Sequence, residues 1–158
     1  MNSKNLNKGH AIIKHEVRPV YTIGTAAEIL GIHPRTLRLY EEGGLLRPAR
    51  KKNRRFYSAT DLEWISCIRY LIHEKGLNQE GLRRLLAMIP CWEIKGCAEN
   101  ERNRCIIWAN RNRPCWDWAR RIDNDTRNCH ACEVYLTAWS RVMDPDEHEI
   151  AIRYGLAG

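Results

Sequence analysis

The chain has 158 residues and a formal net charge of +7, which fits one or two small domains and excludes a large multidomain enzyme. No segment approaches the ~20 apolar residues that a membrane-spanning helix needs. The first residues have no apolar stretch of signal-peptide length, so the sequence predicts a cytoplasmic protein with no membrane partner. Residues 1–90 contain 16 Lys and Arg against 8 Asp and Glu, whereas residues 91–158 contain 10 against 11. This asymmetry predicts an anionic partner for the first part alone, with a solvated basic surface as the alternative.

Residues 21–44 predict two short helices joined by a tight turn, after a brief extended segment. Gly31 suits the left-handed turn that ends a first helix over 25–30, and Pro34 suits the first position of a second helix that stops at Gly43. Two short helices with such a turn are typical of a helix-turn-helix, whose second helix enters the major groove. An amphipathic helix hairpin with solvated arginines is the alternative. The apolar face predicted for the first helix comprises Ala26, Ala27, Ile29 and Leu30.

A basic hairpin is predicted directly after the helix-turn-helix. Five of the six residues from Arg50 to Arg55 are Lys or Arg, and Asn53 suits the turn between them. Phe56 and Tyr57 follow, and aromatic residues favour a strand that anchors the turn. A basic hairpin in this place is typical of a wing, whose cations neutralise DNA phosphates and release counterions.

Two further helices are predicted between the wing and Pro90. Ser58 and Asp61 have the spacing of a capping box at the start of the first helix, and Asn78 suits the N-cap of the second. We interpret Cys67, inside the first helix, as a small buried hydrophobe without a chemical role. The predicted buried positions are Leu62, Ile65, Ile68, Leu71 and Ile72 in the first helix and Leu82, Leu85, Leu86 and Ile89 in the second.

The stretch from Tyr21 to Ile89 resembles the DNA-binding head of the MerR family of bacterial transcription regulators. Three motifs carry the resemblance: RTLR-YE in the second helix, GLL-P-R after it, and a basic wing that ends in YS--DL. The stretch GIHPRTLRLYEEGGLLRP is most similar to the heat-shock-repressor branch of the family, the HspR-like proteins. The resemblance implies a homodimer on double-stranded promoter DNA that is bent or untwisted between half-sites. RNA polymerase is implied as an indirect partner.

Position by position, the resemblance places the family's DNA contacts on seven residues. Arginine bridges guanine or a phosphate, and threonine donates to either or touches a thymine methyl group. The first three of the seven also stand at the N-terminal part of the second helix, which lies nearest the base edges in a helix-turn-helix. The implied set is Arg35, Thr36, Arg38 and Tyr40 in the recognition helix and Arg54, Arg55 and Tyr57 in the wing.

The chain departs from the MerR pattern at Pro90. Common members of the family continue from the fourth head helix into a long antiparallel coiled-coil helix that forms the dimer. Here Pro90 and a cysteine-rich segment interrupt the chain at that point. A homodimer is therefore expected from the resemblance, without an identified dimerisation element.

Six of the seven cysteines lie after residue 90, and we expect them to hold a metal centre. Clustered thiols in a reducing compartment favour metal binding or redox chemistry over structural disulfides. The two-residue spacing of Cys129 and Cys132 lets both sulfurs reach one ion. Residues 91–135 also resemble a short cysteine–tryptophan module of bacterial sensory and signalling proteins, through CWE---C, CW and C--C--Y. The predicted ligand set is Cys91, Cys97, Cys105, Cys115, Cys129 and Cys132.

Three interpretations of these cysteines stay open. In the first they bind metal, either as a structural zinc site or as an iron–sulfur cluster that senses redox state, oxygen, nitric oxide or iron supply. In the second they form a redox-switch disulfide without metal. In the third they are simply buried with the tryptophans. Five tryptophans are expected in the core of this part of the chain: Trp92, Trp108, Trp116, Trp118 and Trp139.

The sequence thus predicts a mainly α protein in which a winged helix-turn-helix head precedes a small irregular Cys-rich module. A helix is expected from Glu133 to Val142, and the acidic run after it is expected to be solvated surface. The predicted segments are a flexible N-terminal arm over 1–20, the head over 21–90, the module rich in Cys and Trp over 91–142, and a tail over 143–158.

The function predicted from these features is that of a sequence-specific DNA-binding transcription regulator, not an enzyme. Its Cys-rich module is expected to bind a metal or iron–sulfur centre and to sense redox or metal state. A cysteine-based redox protein, or an adaptor whose head binds protein instead of DNA, is the alternative. No βαβ pattern surrounds the Cys-x-x-Cys spacing, which argues against a redox enzyme.

Overall fold

The computed structural model describes residues 17–123 and 128–156, so most of the predicted N-terminal arm lies outside the described residues. Over these described residues the protein is mainly helical with one small sheet, as the sequence predicts. The elements of the head are β1 Tyr21–Thr22, α1 Ile23–Leu30, α2 Pro34–Glu42, β2 Ala49–Lys51, β3 Arg54–Tyr57, α3 Ala59–His73 and α4 Gln79–Ala87.

The helix-turn-helix forms as its local signals predict. Gly31 ends α1 in the left-handed conformation with φ of 62°, and Pro34 occupies the first turn of α2. His33 caps α2, because its Nδ1 accepts the backbone N–H of Arg35 at 3.0 Å. The prediction for Ile29 is wrong: its side chain is 39% exposed at the edge of the α1 face. Ala26, Ala27 and Leu30 form the buried part of that face.

The wing is the β2–β3 hairpin, and β1 pairs with its other edge to give the antiparallel order β1–β3–β2. Lys51 lies opposite Arg54, so the loop contains two residues only. These are Lys52 and Asn53, with φ of 50° and 65°. Two consecutive left-handed residues match the tight turn whose twist suits a hairpin, and Asn is favoured there.

The two remaining head helices start where their caps predict. The Asp61 N–H donates to Ser58 Oγ at 3.0 Å while Asp61 Oδ2 accepts the Ser58 N–H at 2.8 Å, which completes the capping box of α3. Asn78 caps α4 through the N–H of Gly81. Cys67 is buried as predicted, and burial raises the pKa of its thiol to about 12. The prediction for Leu85 is wrong, since it is 42% exposed.

The rest of the described chain forms helices of 4 to 12 residues and two 3-10 turns, and these elements share one hydrophobic core with the head. The helix predicted from Glu133 to Val142 is wrong in extent. It breaks at Thr137, whose hydroxyl donates to the carbonyl of Glu133, and continues as a 3-10 turn. The elements are α5 Cys91–Ile94, α6 Glu99–Asn103, α7 Ile106–Ala109, α8 Cys115–Asp123, a 3-10 turn Cys129–Ala131, α9 Glu133–Leu136, a 3-10 turn Ala138–Arg141 and α10 Pro145–Leu156.

The last helix, α10, packs against α3 of the head. Gly155 lies so close to Ser66 that a Cβ at position 155 would be 1.9 Å from the Ser66 hydroxyl oxygen. The rings of Tyr154 and Tyr70 meet edge to face, with centroids 5.9 Å apart. The acidic start of α10 is largely exposed, as predicted for the acidic run. Among the described helices none is long and apolar enough to span a membrane.

Candidate nucleic-acid interface and cysteine cavity

Two elements of the head present basic side chains to solvent. Arg35 and Arg38 are exposed on α2, with Thr36 half-buried between them. Lys52 and Arg54 are exposed at the tip of the wing. None of these four cations makes an ion pair with another residue in the described ranges. Unpaired cations on a recognition helix and on a wing are suited to binding phosphates and base edges.

A buried carboxylate ties the wing to the recognition helix. Glu41, at the end of α2, is 1% exposed. Its Oε1 accepts a hydrogen bond from Arg50 Nη2 at 2.8 Å, and its Oε2 accepts one from Arg55 Nε. Arg55, one of the implied DNA contacts, is therefore occupied by an ion pair within the head. Such a pair fixes the position of the wing strands relative to α2.

The two tyrosines implied as DNA contacts lie inside the head. Tyr40 is 3% exposed and Tyr57 is 0% exposed, and both belong to the hydrophobic core. Burial raises the pKa of both phenols. Their position in the core has a plain cause, since a large aromatic ring contributes much apolar area to a small domain. The exposed basic surface thus consists of Arg35, Arg38 and Arg54 from this set, with Lys52 added.

The six cysteines that follow residue 90 line one cavity of about 350 Å³. They lie between the start of α5 and the start of α9, so residues up to 41 positions apart in sequence meet at one place. Ile107, Ala119 and Val134 add apolar walls, and Lys95 adds a cation. The sequence predicted this set as ligands, and the structure places all of them on the same cavity: Cys91, Cys97, Cys105, Cys115, Cys129 and Cys132.

Electrostatic interactions link Cys115 to three of the other cysteines. The thiols of Cys91 and Cys115 hydrogen-bond to each other, and the pKa of Cys91 is lowered to about 7 because Cys115 donates to its thiolate. The pKa of Cys115 is raised by the same bond and by burial, with smaller contributions from the charges of Cys129 and Cys132. Cys115 therefore interacts electrostatically with the other three cysteines.

The cavity is larger than the space that one metal ion needs. A zinc ion draws its sulfurs to about 2.3 Å, yet no three His, Cys, Asp or Glu side chains within 17–123 and 128–156 are grouped to hold a metal ion. A liquid water occupies about 30 Å³, so the cavity of about 350 Å³ exceeds the space that one ion needs. Thiolates are the ligands of iron–sulfur clusters, whose several irons keep their thiolates further apart than one ion does.

His130, inside the Cys-x-x-Cys turn, does not line the cavity. Burial lowers the pKa of its imidazole, and the positive charges of Arg47 and Lys51 lower it further. The 3-10 turn of Cys129–Ala131 is thus close enough to Arg47 and Lys51 for electrostatic interaction.

Two residues next to cavity cysteines bind the segment that joins α2 to the wing. Trp116, beside Cys115, donates its indole N–H to the carbonyl of Gly44 at 2.8 Å. Tyr135, three residues after Cys132, accepts the N–H of Arg47 at 3.2 Å and donates its hydroxyl to Asp61 Oδ1 at 2.9 Å. Both side chains are buried, and their rings meet edge to face with centroids 5.3 Å apart.

Gly44 receives a second contact from the same part of the chain. Its φ is 79°, and a Cβ there would be 3.0 Å from the carboxylate of Asp117. Burial raises the pKa of Asp117, but hydrogen bonds from Arg113 and Arg120 outweigh it and the pKa is lowered. The residue after Trp116 is thus a charged carboxylate that arginines hold against the turn at Gly44.

Most of the tryptophans expected in the core are only half-buried. Trp116 is 1% exposed, whereas Trp92, Trp108, Trp118 and Trp139 keep part of their surface in water. The rings of Trp92 and Trp108 meet edge to face with centroids 4.7 Å apart. The guanidinium of Arg111 lies 5.3 Å from the Trp92 centroid and 4.6 Å from the Trp108 centroid. Cation–π contacts of this kind explain how aromatic rings are held at the surface of a small domain.

Sequence reasoning missed Glu41, Trp116 as a hydrogen-bond donor, and Tyr135 as the bridge to Asp61. No short motif marks these roles, because each contact joins separate elements. The Trp116 and Tyr135 bonds span 72 and 74 residues of chain. The CW and C--C--Y patterns did mark both residues as part of the Cys-rich resemblance.

Comparison with known proteins agrees with the geometry of the head. Residues 21–89 match the family described as MerR HTH family regulatory protein. The chain is 40% identical over 74 residues to HspR of Streptomyces coelicolor, named as a heat shock protein, covering 46% of this chain and 49% of that one. It is 35% identical over 71 residues to the HTH-type transcriptional regulator GlnR of Bacillus anthracis, covering 44% and 54%.

A third relative, the HTH-type transcriptional regulator HmrR of Rhizobium leguminosarum bv. viciae, is 42% identical over 69 residues, covering 42% of this chain and 51% of its own length. The chain spans about half the length of the curated relatives it matches. The family match coincides with the described β1–α4 region, which has the helix-turn-helix, the wing and two supporting helices. Residues 21–89 are therefore a helix-turn-helix domain of the MerR family.

Proposed function

We propose that this protein is a cytoplasmic, sequence-specific DNA-binding transcription regulator that acts as a homodimer on promoter DNA. Its Cys-rich part binds a metal or iron–sulfur centre and reports redox or metal state to the head. RNA polymerase is affected indirectly, through the geometry of the promoter. The protein performs no enzymatic step of its own.

The observation that carries the DNA-binding part is the exposed basic surface of the head. Arg35 and Arg38 extend from the recognition helix, and Lys52 and Arg54 extend from the wing tip. The N-terminal half of such a helix reads base edges in the major groove, whereas wing cations bind phosphates. The MerR match and the regulator relatives support the same conclusion.

The sensing part is supported by the contacts between the cysteine cavity and the linker of the head. Cys115 is followed by Trp116, which binds Gly44, and Cys132 precedes Tyr135, which binds Arg47 and Asp61. Gly44 and Arg47 lie between α2 and β2. Movement of either cysteine therefore displaces a side chain that is bonded to the connection between the two DNA-binding elements.

Alanine substitution of Arg38 and of Arg54 tests the DNA-binding part. A duplex selected from a random pool by the wild-type protein serves as the ligand, and fluorescence anisotropy measures its affinity. Arg38→Ala is expected to lower affinity about ten-fold and to relax selectivity at the base that it contacts, since a bidentate base contact contributes about 1–3 kcal/mol. Arg54→Ala is expected to weaken binding to all sequences and to reduce the salt slope by about one.

Arg84→Ala is the matched control. Arg84 is exposed on α4 and paired with Glu80, so the substitution removes the same charge from another face of the head. Its affinity is expected to stay near that of the wild type. If Arg38→Ala and Arg84→Ala bind the selected duplex equally well, α2 is not the reading element.

A further inference from the structure

We propose that the Cys-rich part contributes a second DNA-binding surface, which binds phosphates beside the base pairs that α2 contacts. This surface is an arginine patch formed by Arg111, Arg113, Arg120 and Arg121. The inference rests on the DNA-binding part of the proposed function and adds a contact that lies outside residues 21–89.

The patch belongs to a local excess of positive charge that the balanced total of residues 91–158 conceals. Residues 102–121 contain six arginines against one acid, a formal charge of +5. The acids that balance them are concentrated elsewhere, with four in residues 144–149. Such a density of positive charge on a small domain favours an anionic partner.

A buried carboxylate gathers three of the four arginines. Asp117 in α8 accepts hydrogen bonds from Arg113 and Arg120 at 2.9 Å each and from Arg121 at 3.4 Å. Arg121 keeps 43% of its side chain exposed, and the other two keep about a quarter. One carboxylate neutralises only one of three guanidinium charges, so this group keeps an excess of two positive charges at the surface.

The fourth member, Arg111, lies close to the same helix. The carbonyl of its neighbour Asn110 accepts the indole N–H of Trp118 in α8 at 2.7 Å. Arg111 is exposed, and its guanidinium contacts the rings of Trp92 and Trp108. A guanidinium that stacks on aromatic rings keeps its charge, and its N–H groups can donate to a phosphate.

Contacts with the head place the patch at the end of the recognition helix. Trp116 and Asp117 lie against Gly44, two residues after α2 ends at Glu42. The 9 residues of α2 span about 13 Å, close to the ~12 Å width of the major groove. A helix whose first turn lies among base edges therefore ends near the phosphates that border the groove, where a recognition helix can contact the DNA backbone.

Arg121→Gln tests the patch, because Arg121 is the most exposed of the three arginines around Asp117. Fluorescence anisotropy measures the affinity of the full chain for the selected duplex and for a scrambled duplex over a series of salt concentrations. Arg121→Gln is expected to weaken binding to both about five-fold at about 0.1 M salt and to reduce the salt slope by about one. Arg121→Lys is expected to retain the slope, since lysine also neutralises a phosphate.

Arg153→Gln is the matched control. Arg153 pairs with an acid four residues earlier, as Arg121 does, but it lies on α10. Its salt slope is expected to equal that of the wild type. Arg111→Gln is the second test variant, because it removes a charge of the patch and leaves Asp117 with its three partners. It is expected to reduce the slope by about one as well, with an unchanged midpoint of thermal unfolding.

Two outcomes would overturn the inference. If Arg111→Gln and Arg121→Gln keep the wild-type salt slope, the patch binds no phosphates. If they keep that slope and instead weaken self-association in analytical ultracentrifugation, the patch binds a second copy of the chain. In either case, base selectivity that is lost in Arg38→Ala would retain the regulator and remove only this contact. A wild-type protein that selects no duplex from the random pool would remove the DNA-binding proposal itself, and the patch with it.

Discussion

Asp61 is a carboxylate that is almost completely removed from water, with 1% of its surface exposed. One oxygen accepts the Ser58 N–H of the capping box, and the other accepts the hydroxyl of Tyr135. Burial raises the pKa of Asp61 to about 6, although both hydrogen bonds act to lower it. The Ser58 bond was predictable from a spacing of three residues. The Tyr135 bond was not, because 74 residues separate the partners.

This raised pKa predicts a pH dependence of stability. An acid whose pKa is higher in the folded than in the unfolded state stabilises the fold when protonated, so its contribution is fully present below about pH 4. That contribution is lost as pH rises through about 6, where the folded-state carboxyl ionises. A shift of about two pKa units corresponds to about 3 kcal/mol in the free energy of unfolding.

Asp61→Asn isolates the effect, because an amide keeps an oxygen acceptor for Ser58 and does not titrate. Denaturant unfolding of both proteins at about pH 4 and about pH 7 gives the comparison. The stability of the variant relative to the wild type is expected to increase with pH. An equal pH dependence in both proteins would contradict the assigned pKa.

At the scale of elements, the recognition helix and the wing behave as one unit. Glu41 at the end of α2 accepts hydrogen bonds from Arg50 on β2 and Arg55 on β3. The sequence predicted both elements from local patterns: Pro34 for the start of α2, and Asn53 with its flanking basic residues for the hairpin. The sequence could not predict how the two elements are attached. An arginine at position 55 is equally compatible with a DNA contact and with an ion pair to a buried acid.

Glu41→Gln tests this attachment. The substitution removes the negative charge that two arginines share, and these arginines have about a quarter of their side chains exposed. Breaking a fully buried pair costs about 3–5 kcal/mol, so partial solvent screening suggests a loss of about 2 kcal/mol in the free energy of unfolding. Chemical denaturation at neutral pH measures it.

Glu42→Gln is the control, since Glu42 is the exposed neighbour and undergoes the same chemical change. It is expected to alter stability by less than about 0.5 kcal/mol, as most surface substitutions do. Equal losses in the two variants would show that the ion pairs of Glu41 do not hold the wing.

At the scale of the whole molecule, the head and the residues after it share one core. Trp116, Tyr135 and Ala151 belong to the same buried cluster as Leu37 and Ile65 of the head. The last helix, α10, lies against α3, and Lys75 of the head pairs with Glu147 at 3.0 Å. The cysteine-rich part and α10 therefore pack on the same core that supports the elements proposed to bind DNA.

Gly155→Ala tests the packing of α10 on α3. A Cβ at position 155 would be 1.9 Å from the Ser66 hydroxyl and 2.8 Å from the Ser66 Cα. Since Ser66 is fully buried in α3, the helices must separate, and a loss of about 1–3 kcal/mol is expected in thermal or chemical unfolding.

Gly24→Ala is the matched control for Gly155→Ala, since both replace a glycine within a helix. Nothing lies within 4 Å of a Cβ at position 24 of α1. The added methyl group is expected to leave stability unchanged or raise it by about 0.5–1 kcal/mol, because Ala favours helix over Gly. If Gly155→Ala is as harmless as Gly24→Ala, α10 does not pack as described.

The features that the sequence predicted are those determined by local signals or by the specific family resemblance. Gly31, Pro34, Ser58 and Asn78 each begin or end a helix through their own backbone or side-chain geometry, and all four positions are confirmed. The position of the cysteine-rich part on the head was not predictable. It depends on contacts such as the hydrogen bond between Trp116 and Gly44. A tryptophan or a glycine could equally well contact many other residues, so the residue types do not identify the partner.

The central claim is that the cysteine cavity controls DNA binding through its contacts with the head. Tyr135→Phe interrupts one of these contacts, because it keeps the ring and removes the hydroxyl that joins Arg47 and Asp61. Tyr154→Phe on α10 is the matched control, since Tyr154 contacts the head through its ring.

The decisive measurement is the affinity of the anaerobically purified protein for its selected duplex before and after its metal is removed by chelation. A change of at least about five-fold is expected in the wild type and in Tyr154→Phe, which is the lower end of typical coupling between sites. A clearly smaller change is expected in Tyr135→Phe. If the wild-type affinity is the same with and without the metal, the cavity does not control DNA binding.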